Sequence, residues 1–500
     1  ANDGMLHAFD AESLEELWAF VPPPVLDKLR LIHNTKGSDG VKGKSNSIYL
    51  VDGTPTIKDI YYKGADGEYK WRTVLMAGLG YGGKGYYAID ITDPNNPSHL
   101  FSFLHDSSKR VVDYWAADGT LTTYDYIKEI VPDGLNYSKL SEAWTRPFIT
   151  LMPYKDELKW VAVLGGGYAG ADEESASYAR YVYIIDLELD TSLSNKQGVV
   201  LKSIELASSS ESDVANGVVA AISAISADSA SSADYYGILA YLSDLQGKTW
   251  KLDLAHSDKN PDIDKVDSDI FIAENHLDAQ ATLANDRLMY HKLTNSFIDG
   301  TPYHYTGTGD IIRLQRTDDT IDNRVFGIRD TDFPKHENTD GTISYTISSL
   351  EDGFTGSCPG EDKKGWYQDL SKILPSDRKW SKVTAEVAVD AKYVYFSAYS
   401  PVKSDSCLVD GKSNLIKLEK KCGTLLADGS SVIDLGVGIV GETTIYKGKS
   451  YTVVSNREDD AKAFEGGAKD IYKGEAEEGD GGSVAIPPSS ISTESWRQVF

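Results

Sequence analysis

A chain of 500 residues with a formal net charge of −26, 41% hydrophobic and 25% charged residues has enough apolar material for a sizeable core. Its acidity repels phosphate backbones and anionic lipid, which excludes nucleic acid and membrane surfaces as partners. No run approaches the roughly 18 apolar residues of a spanning helix, so no membrane insertion is expected, and 30 tyrosines with 44 glycines tilt the fold toward strands and tight turns.

The opening ANDGMLHAFDAESLEELWAF reads as the middle of a strand pair, so the chain is expected to be the C-terminal part of a longer protein. Any signal peptide would lie upstream. Val21–Asn34, VPPPVLDKLRLIHN, predicts a helix: proline suits its first turn, and Val25, Leu29 and Ile32 share one face. Next comes WRTVLMAGLGYGGKGYYAIDIT, whose Gly78, Gly80 and Gly83 spell G-x-G-x-x-G before Lys84. A phosphate cradle would need a helix after the glycines and a hydroxyl residue after the lysine. YYAIDIT has neither helical spacing nor that hydroxyl residue, so the glycines are expected to join two strands.

The unit recurs. WVAVLGGGYAG with RYVYIIDL spans Trp160–Leu187, ILAYLSDLQGKTWKLDL spans Ile238–Leu254, and RVFGIRD (Arg324–Asp330) and SNLIKLEKKCG (Ser413–Gly423) are weaker copies. The copies end in an acidic residue, at Asp10, Asp90, Asp186, Asp253, Asp330 and Glu419. Strand repeats that cannot bury their own faces stack radially. The expected fold class is therefore all-β, a modified β-propeller of seven blades, with six to eight compatible, carrying long inter-strand insertions and a few short helices. It would span 1–500 as one domain, with VIDLGVGIVGETTIYKGKSYTVVSN and the opening strands completing a final blade. A two-sheet sandwich assembly explains the recurrence less well. LASSSESDVANG near Ser208 and the acidic, glycine-rich stretch 457–482 read as surface loops.

The three cysteines, Cys358, Cys407 and Cys422, form no C-x-x-C and no C-x-x-C-H, which excludes cysteine zinc sites, thioredoxin-type chemistry and attached haem. Cys407 and Cys422 flank LVDGKSNLIKLEKK, a hairpin-like segment whose ends a disulfide would join. Such a bridge is worth about 3 kcal/mol, leaves Cys358 free and favours an oxidising compartment. DKNPDIDKVDSD places Asp258, Asn260 and Asp262 at the 1, 3, 5 spacing of a calcium loop, with Asp264 beyond them. Ile263 stands where the loop glycine belongs, and the position-12 glutamate is missing, so a solvated turn is the plain alternative. There is no H-E-x-x-H and no G-x-S-x-G, and no credible nucleophile, so no enzyme is expected.

ANDGMLHAFDA with ELWAFVPP, YLVDGTPTIKD, WRTVLMAGLGYGGKGYYAIDITDP and SDLQGKTWKLDL, supported by YTGTGD, GWYQDL and SWRQVF, resemble one family. This is the C-terminal propeller of PilY-type (PilC-type) type IV pilus tip adhesins and biogenesis factors. The resemblance implies an extracellular location at the pilus tip, binding to minor pilins and to a host or abiotic surface, and roles in adhesion, sensing, twitching motility and pilus extension or retraction. It also implies a calcium loop before the SDLQG strand, onto which Ser226, Asp228, Ala230 and Asp234 align; only Asp228 and Asp234 are carboxylates. The runner-up is a propeller quinoprotein dehydrogenase binding pyrroloquinoline quinone and calcium, although its usual adjacent cysteines are missing.

Overall fold

A computed structural model describes residues 1–32, 48–64, 67–154, 157–169, 178–189, 196–206, 217–226, 238–254, 268–273, 287–317, 321–333, 345–402, 411–446, 449–455 and 470–475. The chain divides into two compact units, Ala1–Ala240 with Leu252–Ser268, and Tyr241–Lys251 with Asp269–Phe500.

In the first unit β1 (Leu6–Phe9) pairs antiparallel with β2 (Glu16–Phe20). His7 lies in this hairpin and is held by Asp3 and Glu16, as a hydrogen-bonded rather than ligating histidine. The expected helix forms as a 3-10 turn, Pro23–Val25, running into α1 (Leu26–Ile32). Val25 is buried, and Leu29 and Ile32 pack on the same cluster.

Six strands follow as an antiparallel meander: β3 (Thr56–Lys63), β4 (Tyr69–Gly78), β5 (Gly85–Asp90), β6 (Ser98–Asp106), β7 (Val111–Trp115) and β8 (Leu121–Asp125). Alternation sends Ile60, Val74, Met76, Tyr86 and Ala88 into one core cluster and Leu75, Ala77, Tyr87 and Ile89 into another. A sheet buried on both faces reads as a continuous apolar run, which is why LMAG and GYYAI show no polar alternation. β9 (Phe148–Tyr154), β10 (Glu157–Gly165), β11 (Tyr181–Asp186) and β12 (Val199–Glu205) make a second antiparallel sheet in the order β12-β11-β10-β9.

In the second unit Thr294–Ile298, Thr301–Gly307, Arg324–Arg329 and Gly365–Asp369 pair antiparallel in that order, with Glu351–Asp352 added parallel at the edge. Tyr393–Pro401, Gly411–Glu419 and Val432–Val437 form part of another sheet. Val440–Tyr446, Lys449–Val454 and Asp470–Glu475 form a third. Asp470–Glu475 falls inside the stretch 457–482 expected as a loop. Its branched and aromatic Ile471 and Tyr472 pair with Val453 and Thr452, and such residues favour a strand over the surrounding polar sequence.

The recurring unit is real in the fold: each copy contributes paired or adjoining strands, and in five of the six the acidic residue that ends it closes a turn. Asp10, Asp90, Asp186 and Asp330 each accept the backbone N–H two residues on, from Glu12, Thr92, Glu188 and Asp332. Glu419, one methylene longer, accepts from Cys422 N at 2.6 Å. Three of these carboxylates also hold a cation: Arg72 on Asp90, Lys159 on Asp186 and Lys251 on Asp330.

The expected Cys407–Cys422 disulfide is not formed; Cys422 is bonded to Cys358, 64 residues away. The pairing of Pro401 with Gly411 and of Tyr393 with Glu419 explains the difference. Cys407 belongs to the connection at the Pro401 end and lies outside the described residues, whereas Cys422 follows Glu419 at the other end, about 26 Å of strand away. There the chain runs against the turn Gly353–Thr355: a Cβ on Gly353 would lie 3.2 Å from the Cys422 carbonyl, and Gln368 Nε2 donates to Gly423 O at 2.6 Å. A non-reducing digest should therefore release a Cys358–Cys422 peptide. Cys358→Ser should lower the unfolding free energy by about 4 kcal/mol in urea melts, the loop-entropy figure for a closure of this size, while Cys407→Ser leaves it unchanged.

Candidate functional site: an aromatic row on the glycine turn

The turn between β4 and β5, Leu79–Lys84, lies between two other stretches of backbone. On one side Asp52 N donates to Leu79 O at 3.2 Å; on the other Gly80 N donates to Ala143 O and Ala143 N to Gly83 O, at 3.1 and 3.0 Å. A Cβ on Gly82 would sit 1.8 Å from Leu50 O, and one on Gly53 would sit 2.1 Å from Gly78 O. Only glycine allows three chains to meet this closely. The turn's own donors are consumed as well. Leu79 N bonds Gly85 O, Gly82 N bonds Leu79 O and Gly83 N bonds Gly80 O, so with Gly80 N four of the six amides of Leu79–Lys84 are taken, and the converging set that cradles a phosphate is not offered.

This clasp places four rings in a row. Tyr49 precedes the Leu50 segment, Tyr81 stands on the turn between Gly80 and Gly82, Trp144 follows Ala143, and Tyr168 belongs to the second repeat's turn, GGGYAG. Tyr49 and Tyr81 are 5.0 Å apart between centroids, Tyr81 meets Trp144 edge-on at 4.3 Å, and Trp144 stacks on Tyr168 at 4.4 Å. Local backbone explains the last contact. Glu142 and Tyr168 form an antiparallel bridge, with N to O distances of 3.1 and 3.0 Å, and a tight turn in which Trp144 N donates to Glu142 O at 2.8 Å keeps Trp144 beside it. Tyr49 remains 57% and Tyr81 41% exposed.

Polar groups border the row. Trp144 Nε1 donates to Glu142 Oε2 at 3.1 Å. Lys28 Nζ reaches over from α1 to Gly82 O at 2.5 Å, Lys84 Nζ donates to Ser107 Oγ at 2.9 Å, and the exposed Asp52 carboxylate accepts from Asn2. Burial raises the Glu142 carboxyl above its ordinary value, outweighing the Trp144 hydrogen bond and the pull of Lys84 and Lys28. Burial likewise lowers the Lys28 ammonium against the attraction of Asp106 and Glu142. The Tyr81 hydroxyl is pushed up to about 12, by burial first and then by Tyr168, Glu142, Tyr49 and Asp52. It stays a neutral hydroxyl, able both to donate and to accept, at every physiological pH.

Asp228 and Asp234, and Asp258, Asn260, Asp262 and Asp264, lie outside the described residues, as does Cys407. Among the described residues no three histidine, cysteine or carboxylate groups gather as a metal site. The ring row was missed by sequence reasoning, although its signal was present: Tyr81 and Tyr168 occupy the same place, after a glycine, in two copies of the repeat.

A family model described as the PilY1 beta-propeller domain matches residues 1–276, which hold the whole row. The type IV pilus biogenesis factor PilY1 of Pseudomonas aeruginosa (strain UCBPP-PA14) is 30% identical over 264 residues, 53% of this chain and 17% of its own length. A PilY1 homolog of Xylella fastidiosa is 47% identical over 96 residues, 19% of this chain and 7% of its own length. The chain thus aligns with only a small part of these relatives. The crystal structure of the Pseudomonas aeruginosa PilY1 C-terminal domain matches with a TM-score of 0.58 at 20% identity, covering 91% of this chain and 90% of that one; this likeness carries the fold.

The Glu142 carboxyl yields a pH test. Its value is raised in the folded state, so ionisation destabilises the fold; the cost is absent below the ordinary carboxyl value and complete above the raised one. Glu142→Gln keeps an acceptor for Trp144 Nε1. Its melting temperature should exceed that of the parent at pH 7, and the gap should close by about pH 3.5, as read by calorimetry at both pH values.

Proposed function

Since the chain belongs to the PilY1 β-propeller family, we propose that it is the propeller module of an extracellular protein at the tip of a type IV pilus, where it binds minor pilins and contacts surfaces. The observation that carries this reading is the family match over residues 1–276, in a chain whose homologues bear the name type IV pilus biogenesis factor. Other features support it. The Cys358–Cys422 disulfide suits an oxidising compartment, and among the described residues no helix is long and apolar enough to cross a membrane. The row on the glycine turn offers exposed rings on a rigid backbone rather than a nucleophile with a base, which suits recognition rather than turnover.

Pilus extension, retraction, twitching motility and surface sensing would follow from occupying the tip. Used as bait, the purified chain should retain minor pilins of its own organism. A strain lacking the gene should lose surface pili and twitching, and recover both on complementation. Full piliation in that strain, together with a bait that retains no pilin, would overturn the reading.

Calcium is the ion proposed for this module, with Asp228, Asp234, Asp258, Asn260, Asp262 and Asp264 as the ligand candidates read from sequence. Millimolar calcium should raise the melting temperature of the purified chain, and Asp258→Asn with Asp262→Asn or Asp228→Asn with Asp234→Asn should remove the rise. An unchanged melt would dismiss both sites.

A further inference from the structure

The row on the glycine turn has chemistry that narrows its ligand. Four aromatic rings stand within 4.3 to 5.0 Å of their neighbours, and the two at the outer end are the most exposed. Single exposed apolar side chains are unremarkable, but a contiguous set on a turn fixed by backbone contacts is a preformed surface with little ordering cost. Tyr81 in particular stands between two glycines. Its ring meets Tyr49 and Trp144.

Charge decides between the ligands such a row can take. Three carboxylates, Glu142, Asp52 and Asp106, are matched by three ammoniums, Lys28, Lys84 and Lys109, the last paired with Asp106. Glu142 feels both Lys28 and Lys84, so it does not call for a cation from outside. An anionic ligand is disfavoured by the chain's charge of −26 and by a turn whose N–H groups are already bonded to Gly85, Leu79, Ala143 and Gly80 carbonyls. Nucleic-acid bases also stack on rings, but their phosphates require a positive groove that is missing here. What remains is an uncharged ligand with a C–H face to lie on aromatic carbon and a rim of hydroxyls that need donors and acceptors alike. A pyranose ring has that form: Glu142 and Asp52 accept, Lys28 and Lys84 donate, and the Tyr49 and Tyr81 hydroxyls can do either.

We propose that Tyr49, Tyr81, Trp144 and Tyr168, with Glu142 and Lys28 at their border, form a binding site for an uncharged glycan chain. The biological use of the site rests on the adhesive reading given above; the binding itself rests on the rings. Tyr49 and Tyr81, the exposed members, would carry successive sugar units, with Trp144 and Tyr168 stacked on each other as their support, so affinity should grow from a mono- to a disaccharide and further where the chain reaches Glu142 and Lys28.

Calorimetry on the purified chain with cellohexaose, laminarihexaose and lacto-N-tetraose tests the proposal, with a heparin hexasaccharide and a decaproline peptide alongside. At least one neutral oligosaccharide should bind saturably and more tightly than its disaccharide. Tyr81→Ala and Tyr49→Ala should each weaken it about tenfold, one lost stacking contact, with a native fold and only a small fall in melting temperature because both rings are partly exposed. Trp144→Phe, which keeps a ring, should weaken it less than Trp144→Ala. Trp71→Ala serves as control, since Trp71 lies near the far end of β4 from the turn, and should bind like the parent. Absence of saturable binding by all three neutral probes up to about 10 mM, a limit near the weakest specific affinities, would overturn the proposal. So would binding indifferent to Tyr81→Ala, or binding of the heparin or decaproline probe alone. Pilin retention measured on the same preparation separates the two readings: if pilins bind and glycans do not, this site falls and the pilus reading stands; with the reverse result, the pilus reading falls and the site stands.

Discussion

The structure of the first unit turns on a backbone-to-backbone contact that leaves no volume for a side chain. The Leu50–Gly53 segment, the Leu79–Lys84 turn and the Ser141–Ala143 segment approach until carbonyl oxygens occupy the space of the missing Cβ atoms of Gly82 and Gly53. Three consequences follow from that one constraint. The turn cannot relax, because Gly80 N bonds Ala143 O, its carbonyls Leu79 O and Gly83 O accept from Asp52 N and Ala143 N, and its other bonded amides close it on itself. It cannot hold a phosphate, because those amides are spent. The side chains that flank it must also project away from the clasp, which is how Tyr49, Tyr81 and Trp144, from segments far apart in sequence, become neighbours.

Away from the turn, the sheets are tied together by side-chain donors that reach a neighbouring sheet's or segment's carbonyls. In the first unit Tyr86 donates to Thr145 O, Tyr114 to Gln197 O and Tyr137 to Gly198 O. In the second, Tyr305 and Trp366 converge on Lys420 O. Each such bond contributes only about 1 kcal/mol net, but removing the donor strands a buried carbonyl and costs more. Tyrosine suits the task because its ring fills the space between sheets while its hydroxyl reaches the far carbonyl. Burial holds the Tyr86 and Tyr114 hydroxyls protonated far above their ordinary value, so these donors persist at any pH at which the fold survives. The tyrosine-rich composition thus reflects how the sheets are joined as well as how strands are made.

The sequence carried the strand units, the role of the glycine motif as a turn, the helix Leu26–Ile32 and the family, because each is written in local pattern: period, turn residues and their repetition. The disulfide partner was not local. LVDGKSNLIKLEKK does contain a strand, but its partner strand, Tyr393–Pro401, precedes it, and this register puts the Glu419 end, which Cys422 follows, opposite Tyr393, while the Gly411 end pairs with Pro401. Proximity along the chain was therefore misleading. The aromatic row was hidden for a related reason. Tyr49, Tyr81, Trp144 and Tyr168 are separated in turn by 32, 63 and 24 residues, too far to share one sequence motif, and only the clasp at Gly82 and the Glu142–Tyr168 bridge bring them together. The closing carboxylates lay between these cases: their recurrence was legible, while their cations, Arg72, Lys159 and Lys251, needed the pairing to be found.

Repetition explains how such a row arises at all. Two copies of one strand-turn-strand unit, set in adjacent sheets of the same unit, present the residue after the turn glycine at equivalent places, here Tyr81 and Tyr168. The connection between the copies supplies Trp144, which fits between them at 4.3 and 4.4 Å. Packing gives a reason for Trp144, which is partly buried and bonded to Glu142. It gives much less reason for Tyr81 and Tyr49, because rings left 41% and 57% exposed recover only part of the roughly 1.5–3 kcal/mol that a fully buried large side chain yields. A polar residue would serve the turn equally well. The stability of the fold therefore accounts for the inner half of the row and leaves the outer half to the proposed contact with a ligand.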